Sequence, residues 1–89
     1  MYTEYATLST LGFAMIAPSQ VRMARAALGW GVRDLGKRAS VAANTVSRYE
    51  NGLGTTVKTL EKIQTALESG GVIFVPSDAT GGPGVRLKK

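Results

Sequence analysis

The 89 residues include neither histidine nor cysteine. That removes the usual general base of neutral pH, thiol nucleophiles, disulfides and the common zinc ligand sets, and with them most of the chemistry open to a small enzyme. Glu50 and Glu61 make no acid–base pair, because no nucleophile, metal set or phosphate-cradling loop accompanies them. The glycines from Gly81 to Gly84 lack the strand before and the helix after that a phosphate loop requires. The chain is therefore expected to be no enzyme, with no metal and no cofactor. What remains is cationic chemistry. Lys and Arg number 11 against 6 Asp and Glu, for a net charge of +5. Between Ser19 and Arg48 the cations Arg22, Arg25, Arg33, Lys37, Arg38 and Arg48 stand against a single anion, Asp34, so this segment carries the whole surplus. A basic stretch of this kind suits a polyanion, nucleic acid first. Its bland alternative is a solvated surface.

The length allows one small domain with one core, and the absence of disulfide staples makes packing or association with a second copy the source of stability. Residues 1–17 form an apolar leader with one charge, Glu4. It has no basic start before Leu8, as a secretory signal would, and Ser9, Thr10 and Gly12 break any run long enough to cross a membrane. A cytoplasmic protein with no membrane association is expected. Ser19 is placed to cap a helix from about Gln20 to Leu28, where Val21, Ala24 and Leu28 recur at helical spacing. Val32, Leu35 and Ala39 mark a second helix ending near Ser40, with Gly36 inside it as the sign of a close helix approach. A third runs over Ala42–Tyr49 with Val46 and Tyr49 inward and a polar outer face. A fourth starts near Thr56 and ends at Gly70 and Gly71. Val72–Val75 and Val85–Lys88 read as strands around a turn-rich stretch. An isolated hairpin is marginal in water, so it must dock on the helices, pair with a second subunit or stay loose. Trp30, at a helix junction, reads as packing.

Two short helices joined by a tight turn around Ser40 and Val41 have the geometry of a helix-turn-helix. The segment from Asp34 to Gly52, and above all Thr45-Val-Ser-Arg-Tyr-Glu-Asn-Gly52, resembles the XRE family of lambda-repressor-like DNA-binding domains. The resemblance spans about residues 18–69. Met15-Ile-Ala-Pro-Ser-Gln20, Ala27-Leu-Gly-Trp30 and Gly82-Pro-Gly-Val-Arg-Leu87 extend it to a compact bacterial subgroup with a C-terminal β segment, whose members begin near the position of Met15. It implies a mainly α fold, a lambda-repressor-like bundle of four to five short helices with a short C-terminal β-strand or hairpin. The expected division is a leader over 1–17, a DNA-binding domain over 18–69 and a β segment over 70–89.

By the same resemblance, Leu35, Val41, Val46 and Tyr49 hold the two helices together. Ser40 departs from the family's glycine, so either the turn differs or it costs stability. Ala43, Asn44, Ser47 and Arg48 fall at the base-reading positions. Asn suits adenine and Arg suits guanine in the major groove, and Ala42 and Ala43 stand where relatives place capping or contacting side chains. For Asn44 the alternative is a bond to its own backbone, and for Arg48 a pair with Glu50 or a carboxylate of the fourth helix. Ser19, Gln20, Arg33, Lys37, Arg38, Thr45, Asn51 and Lys58 are the phosphate candidates, with Arg22 and Arg25 in the same charged set. The resemblance implies a homodimeric regulator of transcription, a repressor or activator, that binds double-stranded DNA at a palindromic operator. Val72, Ile73, Phe74 and Val75 are the expected dimerisation strand, with the leader as the other option. The rival reading is an antitoxin or anti-activator module that binds a protein partner through leader or tail.

Overall fold

A computed structural model describes residues 16–88. The expected leader, but for Ile16 and Ala17, and Lys89 lie outside the described residues. The order of elements is α1 (Pro18–Leu28), α2 (Val32–Ala39), α3 (Ala43–Glu50), α4 (Val57–Ser69), β1 (Val72–Val75) and β2 (Gly84–Leu87). This is a small helical bundle with a helix-turn-helix and a two-stranded antiparallel hairpin.

The starts of the first three helices differ from the pattern of capping hydroxyls. Ala17, not Ser19, is the N-cap of α1, with Pro18 in the first turn, where its missing N–H costs nothing. The cap has no side-chain acceptor, so Gln20 reaches back and accepts from the Ala17 N–H at 2.8 Å. Asp34 does the same for Gly31 at the start of α2, at 2.9 Å. Ala42 caps α3 without any side-chain bond. In α4 the Thr56 hydroxyl accepts from the Thr59 N–H at 3.1 Å.

The first three helices end alike. Each has a residue with positive φ beyond its last turn, and paired main-chain bonds close back over that turn: Trp30 N–H to Arg25 C=O, Val41 N–H to Gly36 C=O and Leu53 N–H to Arg48 C=O. Gly29 and Gly52 take the left-handed position in α1 and α3. In α2 it is Ser40, at φ 60 and ψ 42. The turn keeps the glycine geometry although the residue is serine, which carries the strain of a Cβ in that region. Gly36 is where α2 meets the chain entering α3. A Cβ there would lie 2.7 Å from the Val41 carbonyl oxygen and 3.2 Å from the Ala43 nitrogen.

One core joins all of this. Val21, Leu35, Val46, Ile63 and Leu67 are fully buried, and Val72 of β1 joins them at 1% exposure. The hairpin therefore docks on the helices, mainly α1 and α4. Its register sets Val72 against Leu87 and Val75 against Gly84, so β2 begins and ends one residue earlier than the pattern of apolar residues suggests. Phe74 and Val85 pack on the core, while Ile73 faces outward. Between the strands, Asp78 accepts from the Thr80 hydroxyl and the Thr80 and Gly81 N–H groups, and these bonds hold its carboxyl below the usual range.

Candidate nucleic-acid interface

The inner side of α3 is anchored at three points. Val46 is fully buried against α2 and α1. The Tyr49 hydroxyl donates to the Ile16 carbonyl, and burial raises its pKa above the ordinary phenol value. Glu50, the last residue of the helix, is 6% exposed and accepts two bonds from the Arg25 guanidinium, from Nε at 2.6 Å and from Nη2 at 2.8 Å. That bidentate pairing raises the pKa of Arg25 further, because the charged form is the bonded one. Arg25 also donates to the Trp30 carbonyl at 3.1 Å, and Arg22 donates to the main-chain carbonyl of Glu50. Both charged residues of α1 are thus spent on fastening the end of α3 to the bundle.

The outer side of α3 is open. Asn44 and Arg48 are exposed and one turn apart, with Ser47 and Ala43 half-buried beside them. Among the described residues the side chains of Asn44, Ser47 and Arg48 have no hydrogen-bond or ion-pair partner. Asn44 does not bond its own backbone, and the carboxylate nearest in sequence to Arg48 is occupied by Arg25. Ala42 is exposed and Thr45 half-buried at the start of the helix, while Asn51 follows its end as an exposed cap.

Arg33 and Lys37 are exposed, one turn apart on α2, and with Asp34, Val41 and Ala43 they line an open hollow beside the start of α3. Lys58 is exposed in the first turn of α4. Ser19 is half-buried in the first turn of α1. Arg38 goes elsewhere: its guanidinium lies 4.3 Å from the Trp30 ring centroid, over a cleft shared with Glu61 and Lys62 of α4. One residue's rotation about the α2 axis, about 100°, separates it from Lys37. Gln20 requires a correction. At 3% exposure its amide N–H groups donate to the carbonyls of Val75, at 3.1 Å, and Gly84, at 3.0 Å, so it clasps the loop end of the hairpin and offers nothing to a phosphate. Arg25 is corrected for the same reason.

The clamp of Arg22, Arg25 and Glu50 was not foreseen from sequence. Its signal was the position of Glu50 four residues after Val46, on the buried face of the helix, where an acid needs a cationic partner. Among the described residues no group of three or more acidic, His or Cys side chains could hold a metal, and no helix is long and apolar enough to cross a membrane.

The geometry is that of a polar helix held from behind and presented to solvent beside a hollow lined by Arg33, Lys37 and Asp34. A family model described as a helix-turn-helix domain matches residues 19–72, which span α1 to the start of β1. No curated protein matches the chain. The matched segment covers more than half of the residues and carries the two helices and turn described above, so the chain belongs to the helix-turn-helix proteins of the XRE, lambda-repressor-like type.

Proposed function

We propose that this is a sequence-specific regulator of transcription that acts in the cytoplasm as a homodimer on a palindromic operator, and that it needs no cofactor and catalyses nothing. The carrying observation is the outer side of α3: Asn44 and Arg48 are exposed, mutually in reach of one groove, and without a partner among the described residues. The major groove, about 12 Å wide, admits a helix, and two copies of α3 would enter successive grooves about 34 Å apart. Asn44 and Arg48 read adenine and guanine edges. Ser47 adds one further hydrogen-bonding group, and Ala43 contributes contact with a thymine methyl. Arg33, Lys37, Thr45, Asn51 and Lys58 flank this helix as phosphate contacts, with Ser19 further along. Arg38 joins them only by leaving Trp30.

Footprinting on the chain's own upstream DNA, followed by titration at rising salt, tests this. A protected inverted repeat, with log affinity falling steeply against log salt, is the expected result. Binding no stronger to that DNA than to random duplex at low salt would reject it in favour of a module that binds a protein partner.

A further inference from the structure

The hairpin has two outer edges, and they differ in chemistry. Lys88 N–H donates to the Gly71 carbonyl at 2.8 Å, which makes residues 71 and 88 a hydrogen-bonded pair. Antiparallel pairing alternates, so Ile73 with Arg86 and Val75 with Gly84 are bonded pairs too. The N–H and C=O groups of Val72 and Phe74 consequently point away from β2, toward the outer edge of β1. No hydrogen bond from another described residue reaches them. Their side chains are turned into the core, while Ile73 stands on the opposite face at 42% exposure. Val72–Val75 carries no charge, proline or bulge that would blunt this edge. On β2 the outer edge belongs to Val85 and Leu87, and the side chain on the solvent face is Arg86, followed by Lys88.

We propose that the outer edge of β1 pairs antiparallel with the same edge of a second copy, about a two-fold axis through Ile73. The inference rests on the homodimer reading above and supplies its surface. In this register Val72 exchanges main-chain hydrogen bonds with the partner subunit's Phe74, and Phe74 with the partner subunit's Val72. Ile73 meets the partner's Ile73 as a non-bonded pair, with Cα atoms about 4.5 Å apart. The same symmetry applied to β2 would set Arg86 against its own copy, a like-charge pair that opposes association. The occupant is thus a second copy, chosen by the self-complementarity of one edge and the charge of the other.

Residues opposite each other in a sheet point to the same face. The two helical bundles therefore lie on one side of the joined four-stranded sheet. The hairpin rests mainly on α1 and α4, whereas α3 packs mainly on α2 and α1. Both copies of α3 are carried on that one side, as a single duplex requires.

The chain has no cysteine, so one substitution reports the contact directly. In the full chain, Ile73→Cys is expected to form a disulfide-linked dimer under mild oxidation at least about tenfold faster than Arg86→Cys, since a non-bonded cross-strand pair has the Cβ spacing a disulfide needs. By sedimentation at micromolar concentration the unaltered chain is expected to be a dimer. Ile73→Lys is expected to be a monomer with unchanged far-ultraviolet circular dichroism and Trp30 fluorescence. A monomeric unaltered chain, a dimeric Ile73→Lys, or equal cross-linking through Arg86→Cys overturns the proposal. So do slow-exchanging Val72 and Phe74 amides in a monomer, which would mean that the chain's own residues 1–15 cover the edge. Footprinting in parallel separates the two readings. A dimer cross-linked through position 73 that prefers no DNA sequence defeats the regulator alone, and a monomer that protects a site defeats the strand pairing alone.

Discussion

The clamp at the end of α3 is open to a quantitative test through Arg25→Ala, Glu50→Ala and their combination. The Glu50 side chain is 6% exposed and that of Arg25 22%, and the carboxylate takes two short bonds from one guanidinium. Removing Arg25 leaves a buried carboxylate without its charge partner, which costs about 3–5 kcal/mol. Removing Glu50 leaves the better-solvated guanidinium, which can turn to water, so the loss falls to about 2–3 kcal/mol. A chain of this size has a total stability of about 5–10 kcal/mol, so Arg25→Ala consumes a large part of it. The double alanine variant removes both charges, and the cycle yields a coupling energy of at least about 1.5 kcal/mol. Arg25→Met with Glu50→Leu, which fills the same space with apolar atoms, returns stability to within about 1 kcal/mol of the original. Urea unfolding followed by circular dichroism and by Trp30 fluorescence measures all four variants. Single losses below about 0.5 kcal/mol that simply add would show that the pair behaves like an exposed one and anchors nothing.

Ser40→Gly should raise stability by about 0.5 kcal/mol, the relief of left-handed strain less the extra freedom glycine gains when unfolded, and Ser40→Val should lower it by more than about 1 kcal/mol; thermal melts of both distinguish them. Tyr49→Phe should cost about 1 kcal/mol near neutral pH by deleting the bond to Ile16. Because the folded pKa of Tyr49 is raised, its contribution is complete below about pH 10 and is lost as pH climbs through the folded value, so Tyr49→Phe should lose less stability than the unaltered chain when melting temperature is followed above pH 10. Arg48→Ala should lose about 1–3 kcal/mol of discrimination at one base position in each half-site, whereas Lys37→Ala should weaken all duplexes alike and lower the salt slope by about 1; identical behaviour of the two in a binding titration would refute their separate roles.

The helices were legible because their apolar residues repeat locally. Val21 and Ala24, Leu35 and Ala39, and Leu60, Ile63 and Leu67 all fall at spacings that only a helix brings to one face, and all are buried. Of the candidate site only the solvent side of α3 was legible, where Asn44 and Arg48 stand exposed on a polar face whose inner residues are plain. Gln20 was misread because its partners, Val75 and Gly84, lie 55 and 64 residues away, a distance over which periodicity carries no information. Charge counting failed for a related reason. It weights Arg25 and Lys37 equally, yet one is neutralised by Glu50 and the other is exposed. Ser19 looked like the cap by residue type, but Pro18 fits the first turn, and the start moved back to Ala17.

The contact at Gly36 sets main chain against main chain: a helix touches the peptide of Val41 and the nitrogen of Ala43 with no side chain between them. The pitch at which α3 leaves the bundle is thus gauged by atoms common to every amino acid. On the proposed reading, exchanging the letters at 44, 47 and 48 would rewrite the address without bending the hand that delivers it. A scaffold of this kind can drift between targets while its own folding is left alone.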